Sequence, residues 1–168
     1  MKRPAVTKCF NERGITLTEL VVVMVVMSIL ASVAMPIYRM SIKRDKEAIL
    51  RDELREMRDA IDEYKKLSDE GLIAKQAGDT GYPKTLDDLT KLITLQNPGI
   101  VVAGAPQMPK KIRLLRKIPV DPMTGKAKWG MRSNADDPDS TVWGGQDVFD
   151  VYSLSTGTAL DGTKYADW

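Results

Sequence analysis

Residues 15–38 read ITLTELVVVMVVMSILASVAMPIY, and the only charge among them is Glu19. At the rise of an α-helix this run spans about 36 Å, more than the roughly 30 Å hydrocarbon core of a bilayer. A helix buried in a soluble core normally keeps a polar face, and this run has none, so the pattern predicts a membrane helix. Before it stands MKRPAVTKCFNERG, with Lys2, Arg3, Lys8 and Arg13 against Glu12 alone. Such a basic leader places residues 1–14 on the cytoplasmic side and the chain beyond Tyr38 on the far side. A secretory signal peptide fits less well, because its apolar region is about 7–15 residues and ends at a small-x-small cleavage site. Glu19 has two readings: a functional carboxylate at membrane depth, or a side chain that snorkels to headgroup level.

Beyond Tyr38 the helix pattern continues without a loop. Leu50, Leu54, Met57, Ile61 and Tyr64 recur at alternating steps of four and three, with charged residues between them. This predicts one amphipathic helix continuous with the apolar run, from about Ile15 to about Leu67. The intervening charges, which form Glu/Arg and Asp/Arg pairs at helical spacing, read as its solvated face. Pro36 lies inside the helix, where a missing N–H predicts a kink or a loosened turn. Gly71 is a natural stop. Thr85 with Asp88 three positions on opens a short helix through about Ile93. The Pro- and Gly-rich stretch Asn97–Pro109 reads as connection, and Lys110, Lys111, Arg113, Arg116 and Lys117 as surface charge. Short strands are expected around Lys126–Met131 and Val148–Leu154, with loop from Asn134 to Gln146.

Composition narrows the chemistry. The 168 residues hold 25 Lys+Arg and 23 Asp+Glu, no His and one Cys. Without imidazole there is no Ser-His-Asp or Cys-His nucleophile and no His metal ligand, and one Cys forms no intrachain disulfide. A net charge of +2 argues against a dedicated nucleic-acid binder. Asp121, Asp147 and Asp150 have no spacing that predicts an acid/base pair, so no enzyme is expected. Asp136, Asp137 and Asp139 lack the glycine and distal glutamate of an EF-hand loop and read as solvated. Trp129, Trp143 and Trp168 share no face and read as packing or lid residues.

Arg13-Gly14-Ile15-Thr16-Leu17-Thr18-Glu19-Leu20, followed by the valine-rich run and Pro36, resembles the class III leader and N-terminal helix of type IV pilins and type II secretion pseudopilins. The resemblance implies cleavage by a prepilin peptidase between Gly14 and Ile15 and methylation of the new amino group on Ile15. It also implies that Glu19 contacts the N-terminal amine of a neighbouring subunit, and that the helix can extend at Pro36. Ile15 departs from the family's usual Phe. Gly81-Tyr82-Pro83-Lys84-Thr85-Leu86, Pro119-Val120-Asp121-Pro122 with Gly125, Phe149-Asp150-Val151-Tyr152-Ser153-Leu154 and Asp167-Trp168 are similar to the major pseudopilin subgroup.

The fold implied by the resemblance is α+β and pilin-like: a long N-terminal helix packed on a small C-terminal antiparallel β-sheet domain with irregular loops. The expected divisions are a cleaved leader 1–14, a transmembrane and filament-core helix 15–38, and a periplasmic domain 39–168. Within the last lie an amphipathic helix 39–68, a short helix and loops 69–118, and the β-sheet with a C-terminal loop 119–168. The implied role is a structural subunit of a type II secretion pseudopilus, anchored once in the inner membrane. Its partners would be further copies in a helical filament, minor pseudopilins, the prepilin peptidase and the inner-membrane secretion assembly platform. The alternatives are a type IV pilin for adhesion or motility and, in a different class, a membrane-tethered periplasmic enzyme or binding domain. By the same resemblance the loop after Leu154 would bind calcium through the Leu154 carbonyl, Asp161 and Asp167. Here the family's Gly-Ala-Asp-Gly is replaced by Ser155-Thr156-Gly157-Thr158, and a metal-free turn on Asp161-Gly162 fits the residues as well.

Overall fold

A computed structural model describes residues 14–76, 78–96 and 111–168. The leader residues 1–13, the Asn97–Pro109 connection and Lys110 lie outside the described residues. The elements run α1 (Leu17–Asp69), α2 (Leu86–Thr90), β1 (Ile93–Thr94), β2 (Lys111–Ile112), β3 (Gly130–Arg132), β4 (Asp150–Tyr152) and a single 3-10 turn (Tyr165–Asp167). This is an α+β, pilin-like arrangement of one long helix and small antiparallel sheets. The chain divides into two units, Met1–Ile42 and Lys43–Trp168.

The second unit is built on the apolar stripe of α1. Leu50, Leu54, Met57 and Ile61 are at most 2 % exposed. They pack with Leu89, Leu115, Trp129, Val148 and Val151 in one cluster. Full burial of such a side chain stabilises by about 1.5–3 kcal/mol, so the stripe is the main cohesive feature of this unit. A smaller cluster joins Leu67, Leu72, Ile73 and Leu95, and the half-buried Tyr64 packs against both. The helix ends as the glycine foretells. Gly71 has φ +73°, its N–H donates to the Ser68 carbonyl at 3.1 Å, and the Leu72 N–H donates to the Leu67 carbonyl at 2.9 Å. That is a Schellman closure, completed by the apolar contact of Leu67 with Leu72.

Two two-stranded sheets form where one was expected, and the first falls in a region read as helix and loops. β1 pairs with β2 through Ile93 opposite Ile112 and Thr94 opposite Lys111. Accordingly α2 stops at Thr90, short of Ile93. Lys91 is already extended, and the β-branched Ile93 and Thr94 find a ladder partner in place of another helical turn. The Thr85 N–H donates to Asp88 Oδ2 at 3.0 Å, as the cap pattern predicts.

β3 begins at Gly130, four residues later than expected, because Lys126 to Trp129 serve another purpose. The Asp121 N–H donates to the Lys126 carbonyl at 3.0 Å to close a turn, and Trp129 Nε1 donates to the Pro119 carbonyl at 3.0 Å inside the core. β3 pairs with β4 antiparallel, Gly130 opposite Tyr152, Met131 opposite Val151 and Arg132 opposite Asp150. Gly130 is required by space: a Cβ there would lie 2.2 Å from the Tyr152 ring.

Buried carboxylates organise the turns around this sheet. Asp121, fully buried, accepts from the Met123 N–H and from Ser153 Oγ, each at 2.7 Å. Asp147 accepts from Ser133 Oγ at 2.8 Å, from the Asn134 N–H at 2.9 Å and from Thr80 Oγ1. These donors replace the hydration each carboxylate loses. Asp136 of the 134–146 loop is drawn into the same scheme. The Ser133 and Gly144 N–H groups donate to its Oδ2 at 2.7 and 2.9 Å, and hold its carboxyl below the ordinary range.

Gly130→Ala is expected to destabilise the second unit by about 1–3 kcal/mol through overpacking against Tyr152. Urea unfolding of the full chain should show a lower midpoint with an unchanged slope, and an unchanged midpoint would refute the close approach.

Candidate functional site

Every residue from Gly14 through Ile42 is exposed. Ile15 is 74 % exposed, and the valines, leucines and methionines after it lie open on every face of α1. By length and composition this helix can cross a membrane. Serine hydroxyls fold back onto its backbone: Ser28 Oγ donates to the Met24 carbonyl and Ser32 Oγ to the Ile29 carbonyl, each at 2.7 Å. Among the described residues nothing covers its side chains. Pro36 lies within α1 and brings no N–H to the Ser32 carbonyl.

The start of the helix shows a device that the apolar run obscured. The Glu19 N–H donates to Thr16 Oγ1 at 3.2 Å, and the Leu20 N–H to the Thr16 carbonyl at 3.1 Å. Thr16 is therefore the N-cap, and Glu19 sits in the first turn, where the helix dipole favours an anion. The Thr-x-x-Glu spacing was available in the sequence as a capping signal. Among the described residues the Glu19 carboxylate forms no hydrogen bond or ion pair, so its charge is available to a partner outside them. Gly14 and Ile15 precede the helix in exposed, non-helical chain.

A second functional region is the segment from Ser155 to Trp168 in the Lys43–Trp168 unit. Glu47, 9 % exposed, accepts at Oε1 from the Leu160 N–H and from Tyr165 Oη, both at 2.9 Å. One turn to either side, Lys43 Nζ donates to the Thr158 carbonyl at 2.6 Å and Arg51 Nη2 to Asp161 Oδ2 at 3.3 Å. The Arg51 guanidinium also lies 4.2 Å from the centre of the Trp168 ring. Arg58 completes the attachment. It donates to Asp150 Oδ1 at 2.7 Å and to the carbonyls of Val151 and Trp168 at 3.1 and 2.8 Å. Arg132 binds the other Asp150 oxygen and stacks on Tyr152. Arg51, which stays exposed as the sequence suggests, and Arg58, which is partly buried, are also the side chains that reach the C-terminal segment and the sheet.

Of the residues implied as calcium ligands, Asp161 has other partners. Asp161 Oδ1 accepts from the Thr163 N–H at 2.9 Å and from Thr163 Oγ1 at 2.6 Å, while Oδ2 faces Arg51. Leu154 is exposed, and Asp167 is exposed within the 3-10 turn. Among the described residues no group of three or more carboxylates is placed to hold a metal. The donors around Asp161 are N–H, O–H and guanidinium groups, where calcium requires oxygen ligands, so Asp161 as arranged does not fit the ion. Asp121, Asp147 and Asp150 stand in three separate networks, each bound to structural donors.

A family model described as a prokaryotic N-terminal methylation motif matches residues 9–35. No curated protein and no solved structure matches the chain. The matched stretch takes in Gly14, Ile15, the Thr16 cap, Glu19 and the exposed apolar helix as far as Met35. The chain thus carries a type IV pilin-like prepilin signal on a helix with the length and composition of a membrane anchor.

Burial and the adjacent Glu47 carboxylate push the Tyr165 hydroxyl up to about 12. A pKa raised on folding adds stability that is complete below the ordinary tyrosine range and is lost as pH rises toward 12. The tyrosinate absorbance difference between wild type and Tyr165→Phe should therefore titrate near 12, and Glu47→Gln should lower that midpoint. An ordinary midpoint in wild type would refute the buried pair.

Proposed function

We propose that this chain is the precursor of a filament subunit of the type IV pilin class and, within that class, a major pseudopilin of type II secretion. The observation that carries the reading is the coincidence of the methylation motif with an apolar helix exposed on every face. The prepilin peptidase cuts the exposed bond between Gly14 and Ile15, and the new amino group on Ile15 is methylated. Cutting there removes Lys2, Arg3, Lys8 and Arg13 with Glu12, so the formal charge of +2 becomes −1. It also removes Cys9, the only thiol. The mature subunit waits in the inner membrane with residues 39–168 in the periplasm.

Assembly moves the apolar helix from lipid to a bundle of identical helices, so its apolar surface stays covered throughout. Glu19 sets the register, because a carboxylate at that depth is stabilised by the Ile15 ammonium of a neighbouring copy. The growing filament is nucleated with minor pseudopilins on the inner-membrane assembly platform and pushes secreted proteins outward. A type IV pilin for adhesion or motility would use the same motif. The Pro119–Pro122 turn, the Phe149–Leu154 block and the lack of any Cys after Cys9 weigh toward the pseudopilus.

Intact-mass measurement of the protein from cells with and without the prepilin peptidase should show loss of residues 1–14 and gain of one methyl group only when the peptidase is present. An uncut chain, or one cut elsewhere, would remove both filament readings. Glu19→Ala should insert into the membrane normally and form few or no filaments, and normal filament yield would refute the role given to Glu19. Deletion of the gene should block protein export without removing surface fibres, and the reverse result would favour the pilin.

A further inference from the structure

We propose that a row of charged side chains on α1, Lys43–Glu47–Arg51, takes the place of a divalent cation as the clamp of the Ser155–Trp168 segment, so that this segment is ordered without metal. The clamp lies within the Lys43–Trp168 unit alone and does not depend on the filament reading. Spacings of four residues place all three side chains on one face of the helix. Lys43 and Arg51 each supply a positive charge that a bound cation would otherwise supply. The Lys43 ammonium takes up the Thr158 carbonyl at 2.6 Å, and the Arg51 guanidinium takes up the Asp161 carboxylate at 3.3 Å. Between them Glu47 accepts from the Leu160 N–H and Tyr165 Oη, turning the segment's polar groups inward.

The segment's internal bonds agree with this assignment. The Ala159 N–H donates to the Thr163 carbonyl at 2.7 Å, Asp161 Oδ1 is filled by Thr163, and Trp168 Nε1 donates to Thr163 Oγ1 at 2.6 Å. Trp168 also stacks edge-on against Tyr165, with ring centres 5.2 Å apart, and presents its indole to Arg51. A calcium ion at Asp161 would have to displace the Thr163 donors and sit beside a guanidinium of like charge. The Asp161 carboxylate that such an ion would gather is already paired with a cation of the chain itself.

The test is hydrogen exchange of residues 155–168 in the full chain, held in detergent micelles, with excess Ca²⁺ and with chelator. Wild type should exchange equally in both. Lys43→Gln with Arg51→Gln should speed exchange in this segment about threefold to tenfold, the range for exposed charge-assisted contacts, and leave the β3 and β4 amides unchanged. Arg51→Lys, which keeps the charge, should restore part of the protection. Faster exchange of wild type on chelation would overturn the proposal. So would unchanged exchange in the double variant.

Discussion

One helix carries two kinds of surface. Up to Ile42 its side chains are apolar or small nearly all round and exposed all round. From Leu50 only one stripe is apolar, and that stripe is buried. Helical hydrogen bonding makes this possible because it satisfies the backbone within the segment whatever surrounds it. The rest of the molecule is arranged around that division. The clusters, sheets and turns belong to Lys43–Trp168, and the preceding stretch contributes a capped start and an uncovered surface.

Legibility in the sequence tracks the range of the interactions concerned. The long apolar helix could be read because a run with a single charge is a property of composition, and the Leu50–Ile61 stripe because a period of 3.6 needs only neighbouring residues. The Gly71 stop and the Thr85 cap are equally local. The β1–β2 pair was not legible: four residues in two short segments carry no periodicity, and they become strands only because they meet. The start of β3 was displaced for a related reason, since Trp129 answers to Pro119 and Lys126 to Asp121.

The functional regions divide in the same way. Gly14, Ile15 and Glu19 lie in a contiguous pattern that a motif can hold, and the methylation motif covers them. Lys43, Glu47 and Arg51 do not. Residues 43–47 are all charged, so every face of that turn looks equally polar in sequence. Which charges turn inward is decided by Thr158, Leu160, Asp161 and Tyr165, more than a hundred residues away. Asp136 likewise reads as one of three solvated acids, and only the fold brings the Ser133 and Gly144 N–H groups onto its carboxylate.

The place at which the C-terminal segment is fastened has a mechanical consequence. Lys43, Glu47 and Arg51 stand in the first turns of the Lys43–Trp168 unit, where α1 enters it. The three contacts lie on successive turns of one helix, so they are held at fixed spacing and in fixed order along it. Loss of any one of them leaves the other two to keep the segment in register with α1.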